Sequence, residues 1–595
     1  MQNADPFMQT LPHFIRSALS RERNDCLLER NDRGEWTSLS SRQALTRIES
    51  LACGLRDLDL GAGDRVALLS PNCVDWLISD FAILLAGCVV VPIFPTQALD
   101  QVQYILEDSQ AKVLLIHSRA ALKRLEPIGR ALPQTFVFAE GGDASLLALE
   151  QRGERAKASH PELPAQYEGS ISPEDLAVLI YTSGTTGTPK GVMLTHDNLA
   201  FTTESSFDYA FAAVKRGDAV LSVLPFSHIY EHMIAHGYIR TGVRYHICHR
   251  AEALLADLRD VRPVVITLVP RILERMVAAV AERALAQGGL KAKLVPWALR
   301  VGRDYMHSKS FGRRPSPAIT AQYMLARPLV LKKVRPMLGL GSVKFLVSGS
   351  APLHPDTAMT LLALGIAVLE GYGPTECSPV VSVNRLEDND YGTVGKPIPG
   401  VQVKLTPDGE IMVKGRNVMR GYYRNEGASA AVMEDGWYKT GDVGTADARG
   451  YLRITDRKRE LFKTSGGKFI APARVESAIK RSIYINQVML VGESQPHPAA
   501  LISPNFDLVR AHLGIGPDIA AEELANREDV RAFIAQEVRE HTRDLATFEQ
   551  VRRVGILPRE LSVEGGELSP TLKVKRRVVE QTFAAEIAQM YARQM

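Results

Sequence analysis

The 595-residue chain has few cysteines and no long apolar run. Its six cysteines are scattered without a CxxC spacing, so we expect reduced thiols, as in a cytosolic protein, and no disulfide framework or zinc site. The longest apolar run, 81–94, has 14 residues and contains a proline, whereas a helix that crosses a bilayer needs about 20. The N-terminus lacks the apolar segment of a signal peptide. We therefore expect a cytoplasmic protein that at most lies peripherally on the inner face of the cytoplasmic membrane.

The chain also lacks a strong charge of either sign. Lys and Arg number 71 and Asp and Glu 67, a formal net charge of +4, which gives no indication of a nucleic-acid partner. Residues 291–335 depart from this balance, because they carry 11 basic residues against one acid, a net charge of +10. This basic zone, as we call residues 291–335, also contains the aromatic residues Trp297, Tyr305, Phe311 and Tyr323.

Apolar, β-branched runs alternate with amphipathic stretches such as 41–57 and 100–108. The runs predict strands at 65–69, 88–94, 113–117, 176–181, 219–224, 264–269, 343–347 and 366–369. Such alternation is typical of layered α/β architecture with largely parallel sheets. After Gly400, shorter runs at 401–405, 410–414 and 451–454 indicate antiparallel strands. The charged stretch at 456–460 then predicts a domain boundary between residues 1–456 and 457–595.

The most informative segment is the loop at 181–191, YTSGTTGTPKG, which follows an apolar strand. Glycines allow backbone N–H groups to face an anion, hydroxyl groups add donors, and Lys190 supplies a positive charge. The loop is not a Walker A motif, because the GxxxxGK[ST] pattern is absent. The segment therefore predicts a phosphate-binding loop, after which Thr195 and His196 begin a helix.

This loop resembles the signature of the AMP-forming adenylating superfamily, which includes acyl-CoA synthetases, peptide-synthetase adenylation domains and luciferases. Further segments resemble the superfamily's motifs in the same order: 371–376 (GYGPTE), 437–442 (WYKTGD), 456–466 (DRKRELFKTSG) and 570–576 (PTLKVKR). The resemblance implies an α/β fold, with a large N-terminal domain of layered αβ sheets plus a β-barrel-like subdomain. It also implies a small, mobile α+β C-terminal domain.

The resemblance implies a reaction in two steps. A carboxylate attacks the α-phosphate of ATP and expels pyrophosphate, and the thiol of CoA then displaces AMP from the acyl-adenylate. Negative charge develops on phosphate oxygens in the first step, so Mg²⁺ and cationic donors are expected.

The resemblance also assigns a nucleotide site. Glu376 would hold Mg²⁺ together with the hydroxyl of Thr182, and Thr375 would bind the α-phosphate. Tyr372 would lie against the adenine, and Asp442 would accept the ribose hydroxyls, which suits an acceptor-only carboxylate. The full set of implied nucleotide-binding residues is Thr182, Ser183, Gly184, Thr185, Thr186, Gly187, Lys190, Gly349, Ser350, Gly371, Tyr372, Gly373, Asp442, Arg457, Lys463 and Gly466.

The resemblance assigns Lys573 and His228 to binding of the acid, and Arg459 to the movement of the C-terminal domain. Lys573 would bridge the carboxylate and the α-phosphate, a role that suits a flexible point charge; the alternative is that 573–577 is only a solvated basic face. His228 would lie beside the substrate carboxylate. Arg459 would be the hinge about which the C-terminal domain turns between the steps, after which Lys463 and Gly466 would border the path of the pantetheine.

Three segments favour one branch of the superfamily: LPFSHIYEH (224–232), SGGKFIAP (465–472) and LSPTLKVKR (568–576). Together with the basic zone they resemble bacterial long-chain fatty acyl-CoA synthetases. We therefore predict an enzyme, a long-chain fatty acid–CoA ligase whose substrates are a fatty acid, ATP and CoA.

Alternatives remain open at this point for both the function and the basic zone. One alternative function is a fatty acyl-AMP ligase that delivers to a carrier protein. Another is a non-catalytic fatty-acid-binding or uptake protein, and the sequence argues against it because it retains all five expected site residues: Lys190, Glu376, Asp442, Arg457 and Lys573. The basic zone fits an anionic membrane surface, a solvated helical hairpin, or the 3′-phosphate of CoA.

Overall fold

A computed structural model describes residues 9–138, 141–183, 189–310, 312, 314–458, 460–466, 468–516, 518–569 and 573–592. Helices span Leu11–Leu19, Ser41–Arg56, Val74–Leu85, Leu99–Ser109, Arg119–Leu125, Leu146–Ser159, Leu163–Gly169, His196–Ala210, Ile229–Thr241, Leu254–Val261, Pro270–Gln287, Gly289–Ser310, Pro317–Ala326, Lys332–Met337, Pro355–Ala363, Glu426–Val432, Pro472–Ile479, Phe506–Leu513, Ala521–Asn526, Glu528–Thr542, Arg576–Thr582 and Ala584–Ala592. Short 3₁₀ segments lie at Glu126–Ala131, Ala251–Ala253 and Thr375–Cys377, and a π segment at Arg327–Leu331.

A seven-stranded sheet forms the first layer. Its strands lie in the order Gly421–Tyr422, Pro189–Thr195, Leu176–Ser183, Val89–Ile93, Arg65–Leu69, Val113–Ile116 and Gln134–Val137. The last five strands in this order pair in parallel, and their apolar residues are buried, as expected for a sheet covered on both faces. The Leu176–Ser183 and Pro189–Thr195 strands form an antiparallel hairpin across the predicted phosphate loop.

Two further sheets complete the layered part of the fold. One has five strands in the order Val265–Leu268, Phe345–Ser348, Ala367–Tyr372, Ser382–Val383 and Lys396–Pro397, and its first three are parallel. The other has four strands in the order Trp36–Leu39, Leu27–Arg30, Arg244–Ile247 and Ala219–Ser222. Each strand predicted up to residue 369 is present, with its ends shifted by a few residues.

An antiparallel half-barrel follows the layered sheets. Its strands are Gln402–Leu405, Glu410–Lys414, Trp437–Ala446, Met433–Glu434 and Leu452–Arg457. The long Trp437–Ala446 strand pairs with Glu410–Lys414 on one side and Leu452–Arg457 on the other, which places Asp442 opposite Arg457. The predicted change to antiparallel strands after Gly400 is therefore confirmed.

The residues after 460 build a separate apolar core. A sheet of Ile485–Val491, Ala499–Pro504 and Arg553–Ile556 has one buried cluster on each face, and helices cover both. A small hairpin, Phe462–Lys463 and Phe469–Ile470, precedes this sheet. The predicted mixed α/β class, with a large N-terminal part, a half-barrel and a smaller C-terminal α+β part, is confirmed.

The basic zone forms the Gly289–Ser310 and Pro317–Ala326 helices, the Arg327–Leu331 π segment and the beginning of Lys332–Met337. The rings of Tyr305 and Tyr323 stack with centroids 4.0 Å apart, which joins the first two helices. Tyr323 is buried, and Trp297 and Tyr305 pack against the same apolar cluster. These three aromatic residues therefore contribute to the core; Phe311 lies outside the described residues.

All six cysteines are free and buried, which agrees with the predicted absence of disulfides. Among the described helices, none combines the length and apolar composition needed to cross a bilayer.

Candidate active site

A cavity of 2040 Å³ opens between the carboxyl ends of the parallel strands, the half-barrel and the C-terminal part of the chain. Ligands of α/β folds bind at this edge of the sheet. The predicted site residues that line the cavity are Thr182, Lys190, His228, Gly349, Ser350, Gly371, Tyr372, Gly373, Thr375, Glu376, Asp442, Arg457 and Lys573. The structure thus brings together residues that lie far apart in the sequence.

Asp442 is the centre of one polar group in the cavity. Its Oδ2 accepts a hydrogen bond from the Tyr372 hydroxyl at 2.7 Å, and its Oδ1 accepts one from Arg457 Nε at 2.9 Å. Burial opposes the charge of Arg457, but Asp442 and the neighbouring Glu460 raise the pKa of the guanidinium. Each carboxylate oxygen has a second lone pair, so Asp442 keeps acceptor capacity for a ligand hydroxyl.

Glu376 is the centre of a second polar group. The Tyr422 hydroxyl donates to Glu376 Oε1 at 2.8 Å, and Lys190 Nζ lies 5.0 Å from the centroid of the Tyr422 ring. The register of the hairpin places Lys190 directly opposite Thr182. A carboxylate, a hydroxyl and an ammonium group therefore meet on one wall, which is suited to a cation and phosphate oxygens.

Lys573 reaches the cavity from the C-terminal part of the chain. Enclosure by protein and the charge of Arg457 lower the pKa of its ammonium to about 8, although Asp442, Glu460 and Glu376 act in the opposite direction. The backbone around Lys573 is held by Ser569, whose N–H donates to the Lys573 carbonyl at 2.7 Å and whose Oγ accepts from the Lys573 N–H at 3.0 Å. This lysine is poised to change its charge near neutral pH.

His228 combines a structural contact with a position in the cavity. Its Nδ1 accepts a hydrogen bond from the Tyr230 N–H at 3.2 Å and so caps the Ile229–Thr241 helix. Burial and the nearby Lys573 charge lower the pKa of the imidazole to about 3, so the ring is neutral at pH 7. Because Nδ1 is the acceptor, Nε2 carries the proton and is the donor that the ring can offer to a ligand.

A buried group of Asp80, His232 and His236 fixes the helix that His228 begins. Asp80 Oδ1 lies 2.9 Å from His232 Nε2, and Oδ2 lies 3.3 Å from His236 Nε2. Although burial opposes ionisation, the two imidazoles lower the pKa of Asp80 to about 2, so the carboxylate is an acceptor and both Nε2 atoms donate. This contact ties the Ile229–Thr241 helix to the Val74–Leu85 helix.

The loop after the Phe345–Ser348 strand closes another side of the cavity. Gly349 faces the Tyr230 ring, and a Cβ atom at this position would lie 3.4 Å from the ring. Ser350 has a φ of 70°, a left-handed conformation that costs a non-glycine residue free energy and is typical of functional sites.

One arm of the cavity is apolar. It runs between the His196–Ala210 and Ile229–Thr241 helices and is lined by Ser206, Ala210, Phe211, Met233 and Ile234. We call these residues and the space between them the apolar arm. It begins near His228, so an aliphatic chain in this arm would present its head group to the polar part of the cavity.

Several predicted residues are not brought to the cavity or cannot be placed. Gly184, Thr185, Thr186 and Gly187 and the hinge residue Arg459 lie outside the described residues, and Ser183 is described only by its backbone, which pairs with Pro189. Lys463 and Gly466 do not line the cavity. Lys463 Nζ lies 5.5 Å from the centroid of the Phe469 ring, and a Cβ atom at Gly466 would meet only Thr464 Oγ1, at 3.9 Å.

Comparison with protein families assigns both parts of the chain. Residues 16–423 match the model of the AMP-binding enzyme family, and residues 460–595 match that of the AMP-binding enzyme C-terminal domain. The chain belongs to the AMP-binding enzyme family. The predicted membership of the adenylating superfamily is thereby confirmed.

This AMP-binding enzyme is similar over most of its length to named relatives. It is 34% identical to the long-chain-fatty-acid–CoA ligase FadD15 of Mycobacterium tuberculosis, over 94% of this chain and 93% of that protein. It is 31% identical to the peroxisomal long chain acyl-CoA synthetase 7 of Arabidopsis thaliana, over 94% of this chain and 82% of that protein.

Solved structures share the fold of this AMP-binding enzyme. The adenylation domain of a carboxylic acid reductase from Segniliparus rugosus, in complex with AMP and a co-purified carboxylic acid, aligns with a TM-score of 0.75 at 21% identity, over 99% of this chain and 95% of that chain. The fatty acyl CoA synthetase of Mycobacterium tuberculosis aligns with a TM-score of 0.61 at 21% identity, over 98% and 99% of the two chains.

Tyr422 and Glu370 are among the residues in the cavity of this AMP-binding enzyme that the sequence did not predict. Tyr422, which donates to Glu376, lies on a two-residue strand that pairs with Pro189–Thr195, and no local pattern marks it. Glu370 precedes the GYGPTE motif, and burial raises the pKa of its carboxyl to about 7. An acidic residue at the end of an otherwise apolar strand was the available signal for Glu370.

Proposed function

We propose that this AMP-binding enzyme is a long-chain fatty acid–CoA ligase. It activates a fatty acid with ATP to acyl-AMP and pyrophosphate, then transfers the acyl group to CoA and releases AMP. The observation that carries the proposal is one cavity in which Lys573, Arg457, Asp442 and Glu376 meet the apolar arm. The names of relatives at 31% and 34% identity over 94% of the chain support the same substrate class.

In the first step, the polar walls orient ATP and the acid. Asp442 accepts the ribose hydroxyls, Tyr372 lies against the adenine, and Thr375 donates to the α-phosphate. Lys573 places its ammonium between the carboxylate and the α-phosphate, where negative charge develops in the transition state. His228, which is neutral at pH 7, donates from Nε2 to the carboxylate of the acid.

Glu376 and Thr182 are the residues that would hold Mg²⁺. Their oxygen atoms are the type of ligand that this cation prefers, and both side chains line the cavity beside Lys190. When bound, Mg²⁺ neutralises the charge of the phosphate oxygens. Lys190 adds a second positive charge on the same wall.

The second step requires a different position of the C-terminal domain, residues 457–595, which turns about Arg459. Lys573 then leaves the cavity, and Lys463 and Gly466 approach the thiol path. Support comes from their present position away from the cavity, on the hairpin that directly follows the hinge. The space around Gly466 leaves its surface free for the pantetheine.

Two alternatives from the sequence are less well supported. A fatty acyl-AMP ligase that delivers to a carrier protein shares the first step, but the relatives named above are CoA ligases and synthetases. A non-catalytic fatty-acid-binding protein would not need the convergence of Lys573, Arg457 and Glu376 on one cavity.

The basic zone supports a peripheral contact with anionic membrane, from which a long-chain acid would be taken. Its outer surface combines exposed cations, among them Arg314, Arg327, Lys332 and Lys333, with exposed apolar side chains. The most exposed apolar residues there are Met324, Leu325 and Leu329. Cations and apolar side chains on one surface are the combination that binds an anionic lipid interface.

The proposed activity is tested by acid-dependent ATP–pyrophosphate exchange over a panel of acetate, benzoate and saturated fatty acids from octanoate to stearate. We expect exchange with the fatty acids, its loss when Mg²⁺ is omitted, and AMP release when CoA is added. Exchange with benzoate or acetate in preference to every fatty acid would contradict the proposal.

A further inference from the structure

Two stacked phenylalanine rings border the apolar arm: Phe211 lines it, and Phe207 packs against Phe211. The ring centroids of Phe207 and Phe211 lie 4.5 Å apart with an interplanar angle of 13°. Both side chains are buried, and Phe211 also contacts the Tyr238 and Phe345 rings at centroid distances of 6.3 and 5.9 Å. The two aromatic residues lie one helical turn apart at the end of the His196–Ala210 helix.

A glycine on the opposite helix makes room for this stack. A Cβ atom at Gly237 would lie only 1.9 Å from the Phe207 ring, so any other residue would displace the ring. The absence of a side chain lets the Ile229–Thr241 helix approach Phe207 closely and hold it against Phe211. The stack beside the apolar arm is therefore a packed and specific arrangement.

A second cavity lies directly behind the stack. It has a volume of 300 Å³, opens to the surface, and is lined by Phe207, Phe211, Ala212, Val214, Lys215 and Arg240, among others. Phe211 lines both this cavity and the apolar arm, so its ring is the partition between the two spaces. Removal of the ring would join them.

We propose that Phe211, held in place by Phe207, ends the acyl-chain site and determines the longest fatty acid that the enzyme accepts. The proposal rests on the proposed function, because it assigns the apolar arm to the aliphatic chain of the substrate. The carboxylate end of the chain lies near His228 and the terminal methyl group meets Phe211. A chain that is too long has no space beyond the ring unless the ring is displaced.

Phe211→Ala tests the partition directly. The measurement is kcat/KM for acid-dependent pyrophosphate release with even-numbered saturated acids from octanoate to behenate. We expect the wild-type enzyme to lose activity beyond one chain length, and the variant to accept longer acids. The expected gain is about fourfold for each further methylene that the joined cavities take in, the value of a buried methylene group. The readout is the ratio of kcat/KM for behenate to kcat/KM for octanoate, which should be higher in the variant than in the wild-type enzyme.

Ala210→Leu tests the same site in the opposite direction. The larger side chain narrows the apolar arm before Phe211, so long acids should lose activity relative to octanoate. Phe201→Ala is the matched control, because Phe201 lies on the same helix and contacts Arg416, away from the apolar arm. Its order of preference for the acids should equal that of the wild-type enzyme.

The outcomes separate the two proposals. Phe211→Ala with an unchanged chain-length optimum, in a protein that still activates octanoate, would overturn the role of Phe211. If that variant does not fold, an unchanged optimum in Ala210→Leu would overturn it instead. A wild-type enzyme that activates no fatty acid of any length would overturn the proposed function, and with it the assignment of the apolar arm.

Discussion

Lys573 lies in the cavity near one cation and several carboxylates, and these neighbours set the pKa of its ammonium group. Desolvation by the surrounding cavity walls and the charge of Arg457 lower the pKa of its ammonium from the usual 10.5 to about 8. The lysine is therefore charged below about pH 8 and loses its proton above it. Since the charged form is the one that stabilises the transition state of adenylation, we expect this step to slow as the pH rises through about 8.

We predict that kcat/KM for fatty-acid-dependent pyrophosphate release falls as the pH rises through about 8, because this parameter reports the free enzyme. Lys573→Arg keeps the charge to higher pH and should move this decline upward, even if its maximal rate is lower. The pH profiles of the two proteins are compared at low substrate concentration. A decline at the same pH in the variant would show that another group titrates.

The site residues that the sequence predicted lie in continuous motifs, where spacing alone places several functional groups on one loop. Gly371, Tyr372, Thr375 and Glu376 are of this kind, and all line the cavity. Tyr422 could not be predicted, because its contact with Glu376 exists only after two distant segments pair in a sheet. The residues of the apolar arm could not be predicted either. An apolar residue such as Met233 or Ile234 fits the same hydrophobic periodicity in the sequence whether it lines a pocket or packs in the core.

At the scale of secondary structure, the long Pro270–Gln287 helix connects the two parts of the chain. Arg271 Nη2 donates to Glu560 Oε2 at 3.1 Å, and the Asn486 amide donates to Glu560 Oε1 at 2.9 Å. Further along the same helix, Glu282 accepts from the Asn505 amide at 2.9 Å. These contacts hold the C-terminal residues in the position in which Lys573 lines the cavity.

We predict that Glu560→Ala slows adenylation by at most about fivefold and leaves thioester formation from supplied acyl-AMP unchanged. An ion pair between partly exposed side chains contributes about 0.2–1 kcal/mol, because solvent screens the two charges. This free energy sets the size of the expected effect. Pyrophosphate exchange and CoA-dependent AMP release are measured separately. Glu540→Ala, an exposed glutamate of the C-terminal part, is the control. If the rates of both half-reactions decreased equally, the Glu560 contact would not be specific to the domain position in which adenylation takes place.

Apolar strands were predictable from sequence because a parallel strand buried on both faces is a continuous apolar run, as in Arg65–Leu69 and Val113–Ile116. The Leu27–Arg30 and Trp36–Leu39 strands were missed, because half of their residues are polar and only Leu27 is fully buried. The parallel partner of Leu27–Arg30, Arg244–Ile247, lies more than 200 residues away in the sequence, and the pairing follows from tertiary contacts alone.

At the scale of the whole molecule, the basic zone has a local excess of positive charge beside exposed apolar side chains. Three cations near an anionic surface contribute about 3 kcal/mol, so replacing Arg314, Lys332 and Lys333 by Ala should weaken binding to anionic vesicles about 100-fold at low salt. Sedimentation with phosphatidylglycerol vesicles measures the effect. Activity on octanoate should change little, because none of the described residues of the basic zone lines the cavity.

The matched control replaces Arg33, Lys123 and Arg155 by Ala, since these are exposed cations outside the basic zone. It should bind vesicles like the wild-type protein. If vesicle binding were weakened equally in both triple variants, the effect would come from the net charge of the protein and not from the basic zone. No binding of the wild-type protein at low salt would contradict the membrane contact, and a selective increase in KM for CoA would assign the cations to its 3′-phosphate.

The central claim is that one site carries an acid to a CoA thioester through an adenylate. The most direct test is the product balance of a single turnover with palmitate, Mg²⁺·ATP and CoA, followed by mass spectrometry. We predict equal amounts of palmitoyl-CoA, AMP and pyrophosphate, and accumulation of palmitoyl-AMP when CoA is left out. Palmitoyl-AMP that persists in the presence of CoA, or the formation of ADP and phosphate in place of AMP and pyrophosphate, would contradict the account.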